Sequence, residues 1–188
     1  MSRVTALMAA GYEETELISV VDILKRGNIE VRMVSVTGER AVTGNHGISV
    51  LTDRLFGEED LSESDVLFLP GGVPGVPNLA AHEGVIAALK AHHAAGKRIA
   101  AICAAPSIPG KLGMFAGRKF TCHAGWEKEI DGVDGACFVP DEIVTDELFS
   151  TSRGVGTAVD FGLELVRLLR DRETADRIRT EIHHPATI

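Results

Sequence analysis

Residues 98 to 106, Arg-Ile-Ala-Ala-Ile-Cys-Ala-Ala-Pro, decide the fold of this chain. From Ile99 to Ile102 the residues are apolar on both faces, which is typical of a central parallel strand covered by helices on both sides. Cys103 then stands at the carboxyl end of that strand. Alanines before and after it provide the small side chains that a sharp strand-to-helix turn needs around an exposed nucleophile. The stretch therefore predicts a buried strand followed by a turn that presents a thiol.

The Cys103 thiol has two interpretations at this level. A thiol at such a turn lies at a helix N-terminus, whose partial positive charge favours the thiolate over the thiol and makes it reactive. Free cysteine is also among the most buried residue types, so an inert structural cysteine fits the turn pattern equally well. The turn alone leaves both open.

Strands and helices alternate along the rest of the chain. We expect strands over residues 4–9, 31–36, 66–69, 99–102, 120–123, 138–139 and 148–150, and helices over 13–26, 83–95, 106–114 and 157–170. Residues 41–50 read as two short strands around a turn, a small antiparallel excursion from the main sheet. Residues 171–188 are charged, and we expect a peripheral tail. This order predicts an α/β doubly wound sandwich with a mostly parallel central sheet and helices on both faces.

Composition narrows the class of protein and its partners. The chain has 188 residues, 45% of them hydrophobic, which predicts one domain over 1–188. A net charge of -8 without any basic run argues against nucleic acid as a partner. No apolar run is long enough for a spanning helix, so we expect a soluble protein without membrane contact. Three cysteines, an odd number, are read as reduced thiols in the cytoplasm.

Three other motifs are weak. Gly154-Val155-Gly156 is followed by Val159 where a dinucleotide-binding fingerprint has its third glycine. The glycine-rich residues 71–75 lack the Lys and Ser or Thr that end a P-loop. The seven histidines show no metal-ligand spacing, and most are expected to be solvated. We therefore expect no nucleotide cofactor and no metal.

Four stretches, taken together and in order, closely resemble the ThiJ/PfpI superfamily, in the branch of the parkinsonism-associated protein deglycase and its bacterial relatives. They are Gly-Tyr-Glu-Glu-Thr-Glu at 11–16, Pro-Gly-Gly at 70–72, Ala-Ala-Ile-Cys-Ala-Ala-Pro at 100–106 and Thr-Ser-Arg-Gly-Val-Gly-Thr at 151–157. The resemblance implies a flavodoxin-like fold, a homodimer with the first helix at its interface, and chemistry without a cofactor.

The same resemblance implies the site residues. It makes Cys103 the nucleophile and Glu16 its carboxyl partner, with His123 as the nearby imidazole. The backbone N–H groups of Gly71 and Gly72, with that of Ala104, would bind an oxyanion. Burial would keep the Glu16 carboxyl protonated beside the sulfur, where it can donate a hydrogen bond to the thiolate and shuttle protons. Without the resemblance, a solvated helix-start charge is the simpler interpretation of Glu16, and for His123 a strand-end structural role remains open.

Several functions are compatible with this site or are suggested by the name of the family that the chain resembles. The first is a glyoxalase or deglycase acting on methylglyoxal, a small reactive carbonyl, or on its early protein adducts. The second is a redox sensor or redox-activated chaperone in which Cys103 is oxidised. A role in thiamine-precursor (thiazole monophosphate) metabolism rests on an old family name alone. A PfpI-type peptidase is disfavoured because Ala104 stands where that branch has histidine, and Val155 replaces the usual proline of the late motif.

Overall fold

The computed structural model describes residues 2–130 and 132–185. The strands are β1 Arg3–Met8, β2 Glu30–Ser35, β3 Ala41–Thr43, β4 Ser49–Leu51, β5 Arg54–Leu55, β6 Val66–Leu69, β7 Arg98–Ile102, β8 Lys119–Phe120, β9 Cys137–Phe138, β10 Ile143–Asp146 and β11 Phe149–Ser152. The α-helices are α1 Glu14–Arg26, α2 Gly75–Ala81, α3 Glu83–Ala94, α4 Ser107–Lys111, α5 Ala158–Leu169 and α6 Arg172–Glu181. Short 3-10 helices cover Phe56–Glu58, Leu61–Glu63, Trp126–Ile130 and Val155–Thr157.

Within these residues the main sheet has seven strands in the order β10-β11-β7-β6-β1-β2-β5. All its pairings are parallel except that of the edge strand β10 with β11. Strands β2 and β5 lie on one side of β1, whereas β6 and the later strands of this sheet lie on the other side. Open α/β sheets bind ligands at such a switch point, beside the carboxyl ends of their strands. The predicted α/β doubly wound sandwich of flavodoxin-like type is confirmed.

Apolar cores lie on both faces of the sheet. One joins the sheet to α1, α5 and α6, and includes Leu17, Phe161 and Ile178. The other joins it to α2, α3 and α4, and includes Leu79, Leu89 and Ile108. Strand β7 is buried along almost its whole length, as its apolar sequence predicts. The sheet therefore fixes Cys103, which follows β7 directly, between two packed layers of helices.

Several boundaries differ from the predictions. The predicted antiparallel excursion is confirmed as the β3–β4 hairpin. The expected helix over 106–114 shrinks to α4, and the strand over 120–123 shrinks to β8. The tail over 171–188 was expected to be peripheral, but within residues 171–185 helix α6 packs on α5 and buries Ala175 and Ile178, and residues 186–188 lie outside the described residues. Most histidines were expected to be solvated, but His184 Nε2 lies 2.9 Å from Asp160 Oδ2. Across residues 2–130 and 132–185, no helix combines the length and apolarity needed to cross a bilayer.

Candidate active site

Cys103 occupies the sharp turn that its sequence predicts. Its φ angle is +65°, a left-handed conformation that costs a residue with a Cβ roughly 1 to 2 kcal/mol. The backbone on either side is held in place, because the Cys103 N–H donates to the Ser152 carbonyl oxygen at 2.9 Å and the Ala105 N–H donates to that of Ile102 at 3.0 Å. The thiol is partly exposed, whereas Cys122 is fully buried. The turn thus presents this sulfur to a ligand.

Glu16 lies beside that sulfur, in the first turn of α1, and is fully buried. Its Oε2 accepts a hydrogen bond of 3.0 Å from the Gly71 N–H. Its Oε1 is also buried and has no hydrogen-bond partner among the described nitrogen and oxygen atoms. A Cβ built on Gly154 would lie 3.6 Å from Oε1 and 4.0 Å from Cys103 Sγ, so the free oxygen and the sulfur line one small space. Glu16 therefore belongs to the site and is not a solvated charge.

The protonation of this pair follows from burial. The pKa of Glu16 is raised to about 7, because burial and, to a lesser extent, the negative charge of Glu13 raise it by more than the hydrogen bonds from Cys103 and Gly71 lower it. With Glu16 ionised, burial and then the negative charge of Glu16 raise the pKa of Cys103 to about 12. The expectation that the helix N-terminus alone stabilises the Cys103 thiolate is therefore incomplete. The thiolate is favoured only when Glu16 holds the proton, because its repelling charge is then absent.

Two backbone N–H groups lie beside the sulfur and oppose this rise. Those of Ala104 and Gly72 both lower the pKa of Cys103. Gly72 can come this close because its φ of +100° suits glycine, and a Cβ there would lie 2.5 Å from the Glu13 nitrogen. The Gly71 N–H is occupied by Glu16. Of the expected oxyanion donors, Gly72 and Ala104 are thus placed to act, and Gly71 instead positions the carboxyl group.

His123 approaches the site by its ring edge. A Cβ on Gly154 would lie 3.8 Å from the His123 Cδ2 atom. The ring Nδ1–H donates to the carbonyl oxygen of the adjacent Ala124 at 3.1 Å, and the residue is exposed. The structure therefore brings His123 to the rim, without a hydrogen bond from its ring to the sulfur among the contacts found in the described chain.

Two further features of the site were not assigned from the sequence. Gly154 forms the wall opposite Glu16 and Cys103, although the late motif that contains it was recognised. Glu14 joins the start of α1 to the β3–β4 hairpin, since its Oε1 accepts from the N–H groups of His46 at 2.7 Å and Ile48 at 3.2 Å. The hairpin turn carried no sequence signal for either contact.

Glu13, Glu14 and His46 place three potential metal-ligand atoms within 4.8 Å of one another. Both oxygens of Glu14 already accept hydrogen bonds, from backbone N–H groups and from His46 Nδ1 at 3.0 Å. We therefore interpret this cluster as a structural link between α1 and the β3–β4 hairpin. A groove of about 1020 Å³ lies elsewhere, between β10, α5 and α6, and none of its lining residues belongs to the Cys103 site.

Comparison with known proteins identifies the family. The model of the DJ-1/PfpI family matches residues 2–168. A deglycase of Thermococcus kodakarensis is 34% identical over 169 residues, which cover 89% of this chain and 99% of the relative. The crystal structure of a cysteine-to-alanine mutant of a DJ-1 superfamily protein from Salmonella typhimurium superposes with a TM-score of 0.92 at 34% identity, covering 99% of this chain and 100% of that one.

The structure of oxidised DJ-1 from Toxoplasma gondii gives a TM-score of 0.93 at 28% identity, again covering 99% of this chain and 100% of that one. These matches extend over nearly the whole sheet and include each stretch that forms the site. The chain belongs to the DJ-1/PfpI family.

Proposed function

We propose that this protein is a cofactor-independent, cysteine-dependent enzyme of glyoxalase or deglycase type, acting on methylglyoxal or on its early protein adducts. The observation that carries the proposal is the convergence of the Cys103 sulfur, the buried Glu16 Oε1 and the N–H groups of Gly72 and Ala104 on one space. The deglycase name of the Thermococcus kodakarensis relative supports the same class of reaction.

The chemistry begins with the shared proton. With the proton on Glu16, the Cys103 thiolate attacks the aldehyde carbon of methylglyoxal and a carbon–sulfur bond forms. The carbonyl electron pair moves to oxygen, where the N–H groups of Gly72 and Ala104 stabilise the negative charge. Glu16 then supplies the proton that converts this oxyanion to a hemithioacetal.

Glu16 is also placed to complete the reaction. As a carboxylate it takes the proton from the former aldehyde carbon, and as an acid it returns that proton to the neighbouring carbon, while the hydroxyl proton of the hemithioacetal moves to the ketone oxygen. The first carbon is thereby oxidised to a thioester while the ketone carbon is reduced to an alcohol. Water cleaves the carbon–sulfur bond and releases lactate and the thiol. Methylglyoxal plus water has the composition of lactate, so no external oxidant or reductant is required.

The test is lactate formation from methylglyoxal, followed by NMR without any added cofactor. Wild-type protein should form lactate, and Cys103→Ser should lose the activity. Cys137→Ser is the matched control, because Cys137 is an exposed cysteine on β9, outside the site. Equal lactate formation by Cys103→Ser and wild type would contradict the proposal.

A redox sensor or redox-activated chaperone is the second candidate, and the oxidised state of the Toxoplasma gondii relative favours it. The Gly72 and Ala104 N–H groups and a protonated Glu16 would hold the oxygens of a sulfinate on Cys103. In mild peroxide, peptide mass spectrometry should then find sulfinic acid at Cys103 before Cys122 or Cys137. Earlier oxidation of either of those cysteines would exclude this role. Both candidates need a reduced thiol at rest, which suits the cytoplasm.

A further inference from the structure

Glu13, the residue just before α1, is linked to Glu16 by a closed ring of hydrogen bonds. The Glu13 N–H donates to the Gly71 carbonyl oxygen at 2.9 Å, and the Gly71 N–H donates to Glu16 Oε2 at 3.0 Å. The Glu16 N–H in turn donates to Glu13 Oε2 at 2.6 Å. The three residues therefore fix one another through both backbone and side chains.

This ring is a modified helix cap. In a capping box, the side chain at the cap accepts from the N–H of the third helical residue, whose own carboxylate accepts from the N–H at the cap. Here the Glu13 side chain accepts from the Glu16 N–H, as in a capping box. The Glu16 carboxyl group, however, accepts from the Gly71 N–H and not from the Glu13 N–H. The Glu16 carboxyl group is thereby turned away from its own helix end and towards Cys103. Glutamate is also an unusual cap, since shorter polar residues are preferred there.

We propose that Glu13 is a positioning residue for Glu16: its carboxylate fixes the Glu16 carboxyl group against Cys103 and holds the shared proton on it. Glu13 is only 8% exposed, so its charge acts on Glu16 with little screening by water. The negative charge of Glu13 raises the pKa of Glu16, in agreement with this geometry. The inference rests on the proposed function, because it assigns a role within the same site.

The charged and titratable groups around this pair come from several elements. Cys103 faces Glu16 from the end of β7, and His123 lies across Gly154 from the free oxygen. On the hairpin side, His46 Nδ1 lies 3.8 Å from Glu13 Oε1 and 3.0 Å from Glu14 Oε2. Glu14 binds the hairpin and makes no hydrogen bond to Glu16 within residues 2–130 and 132–185, so it offers a carboxylate control at the adjacent position.

The test measures the thiol of the resting protein and needs no turnover. Glu13→Gln retains an oxygen that can accept the Glu16 N–H but removes the charge. Glu16 should then ionise more readily, and less of Cys103 should be thiolate. In a Cys122→Ser, Cys137→Ser background, we expect iodoacetamide alkylation at pH 7 to slow by about threefold or more, because half a pKa unit is a factor of about three. The thiolate absorbance near 240 nm should fall in parallel.

Matched variants separate charge from structure. Glu14→Gln should leave the pH dependence of alkylation unchanged, and Glu13→Asp, which keeps the charge, should lie closer to wild type than Glu13→Gln does. An unchanged profile in Glu13→Gln, or an equal change in Glu14→Gln, would overturn the inference. Absence of lactate formation by the wild type would instead refute the proposed reaction, and it would leave the alkylation result intact.

Discussion

The backbone N–H of His123 donates a hydrogen bond of 2.8 Å to the carbonyl oxygen of Cys103. This bond fastens the loop after β8 to the turn that carries Cys103. It explains why His123 lies near the site even though its ring Nδ1 is engaged with Ala124. The link between the two residues that the structure shows is therefore made by the backbone, and the imidazole lies at the rim of the site.

His123→Ala keeps that backbone bond and removes only the ring. We expect lactate formation to fall by less than the roughly 100-fold that marks the loss of a general acid or base. Alkylation of Cys103 should retain its pH dependence. The measurement is the initial rate of lactate formation by NMR, with Cys103→Ser as the inactive reference. A loss of 100-fold or more would make His123 a catalytic acid or base.

Glu16→Gln tests the hydrogen bond to the thiolate. The amide is a weaker donor than a carboxylic acid, so the pKa of Cys103 should rise relative to the native pair, and Glu16→Asp should raise it further because its reach is shorter. Titration of thiolate absorbance near 240 nm measures both changes, with one pKa unit corresponding to about 1.4 kcal/mol. Turnover should slow in both variants, since neither moves the proton as well.

A fall in the pKa of Cys103 in Glu16→Gln would have a clear meaning. If Glu16 is ionised at rest, removal of its charge in Glu16→Gln would lower the pKa of Cys103. A lower value in this variant would therefore contradict the shared-proton mechanism.

The buried Glu16 also makes folding stability depend on pH. The folded-state pKa of about 7 lies above its ordinary value of 4.5, so the folded protein binds more protons than the unfolded chain between these values. The contribution of Glu16 is fully present below pH 4.5 and is lost as the pH rises through 7. Glu16→Gln has no such loss, so its Tm relative to wild type should increase from pH 5 to pH 8.

His92 changes the folding stability with pH in the opposite direction. Burial lowers its pKa from 6.5, so its contribution is present above pH 6.5 and is lost at lower pH. Glu16→Gln does not change the contribution of His92 to the pH dependence of Tm. The difference in Tm between this variant and wild type therefore reports the contribution of Glu16 alone. A difference that does not change between pH 5 and pH 8 would contradict the assignment.

We expect a homodimer with α1 at its interface. α1 exposes Ile18, which is 43% accessible, and the β3–β4 hairpin that Glu14 ties to this helix exposes Ile48 and Leu51. Ile18→Asp should shift the mass measured by light scattering at micromolar concentration towards the monomer. Lys90→Asp on α3, on the other face of the sheet, is the control and should not change it. A monomeric wild type would refute this prediction.

The sequence predicted the strand and turn around Cys103 because their requirements are local: apolar residues on both faces, then small residues. The position of Gly154 was not predictable in this way, since it reaches the sulfur only because β11 pairs with β7. The role of Gly71 changed because the placement of α1 decides which group accepts its N–H. The helix α6 was missed because its charged residues hide two buried positions, Ala175 and Ile178.

The left-handed backbone at Cys103 means that the fold holds a thiol at a position where the backbone conformation alone favours glycine. Cys103→Gly should relieve about 1 kcal/mol of backbone strain, which offsets part of the loss of side-chain packing against both apolar cores. The strain at this turn therefore separates what the backbone prefers from what the chemistry of the sulfur requires.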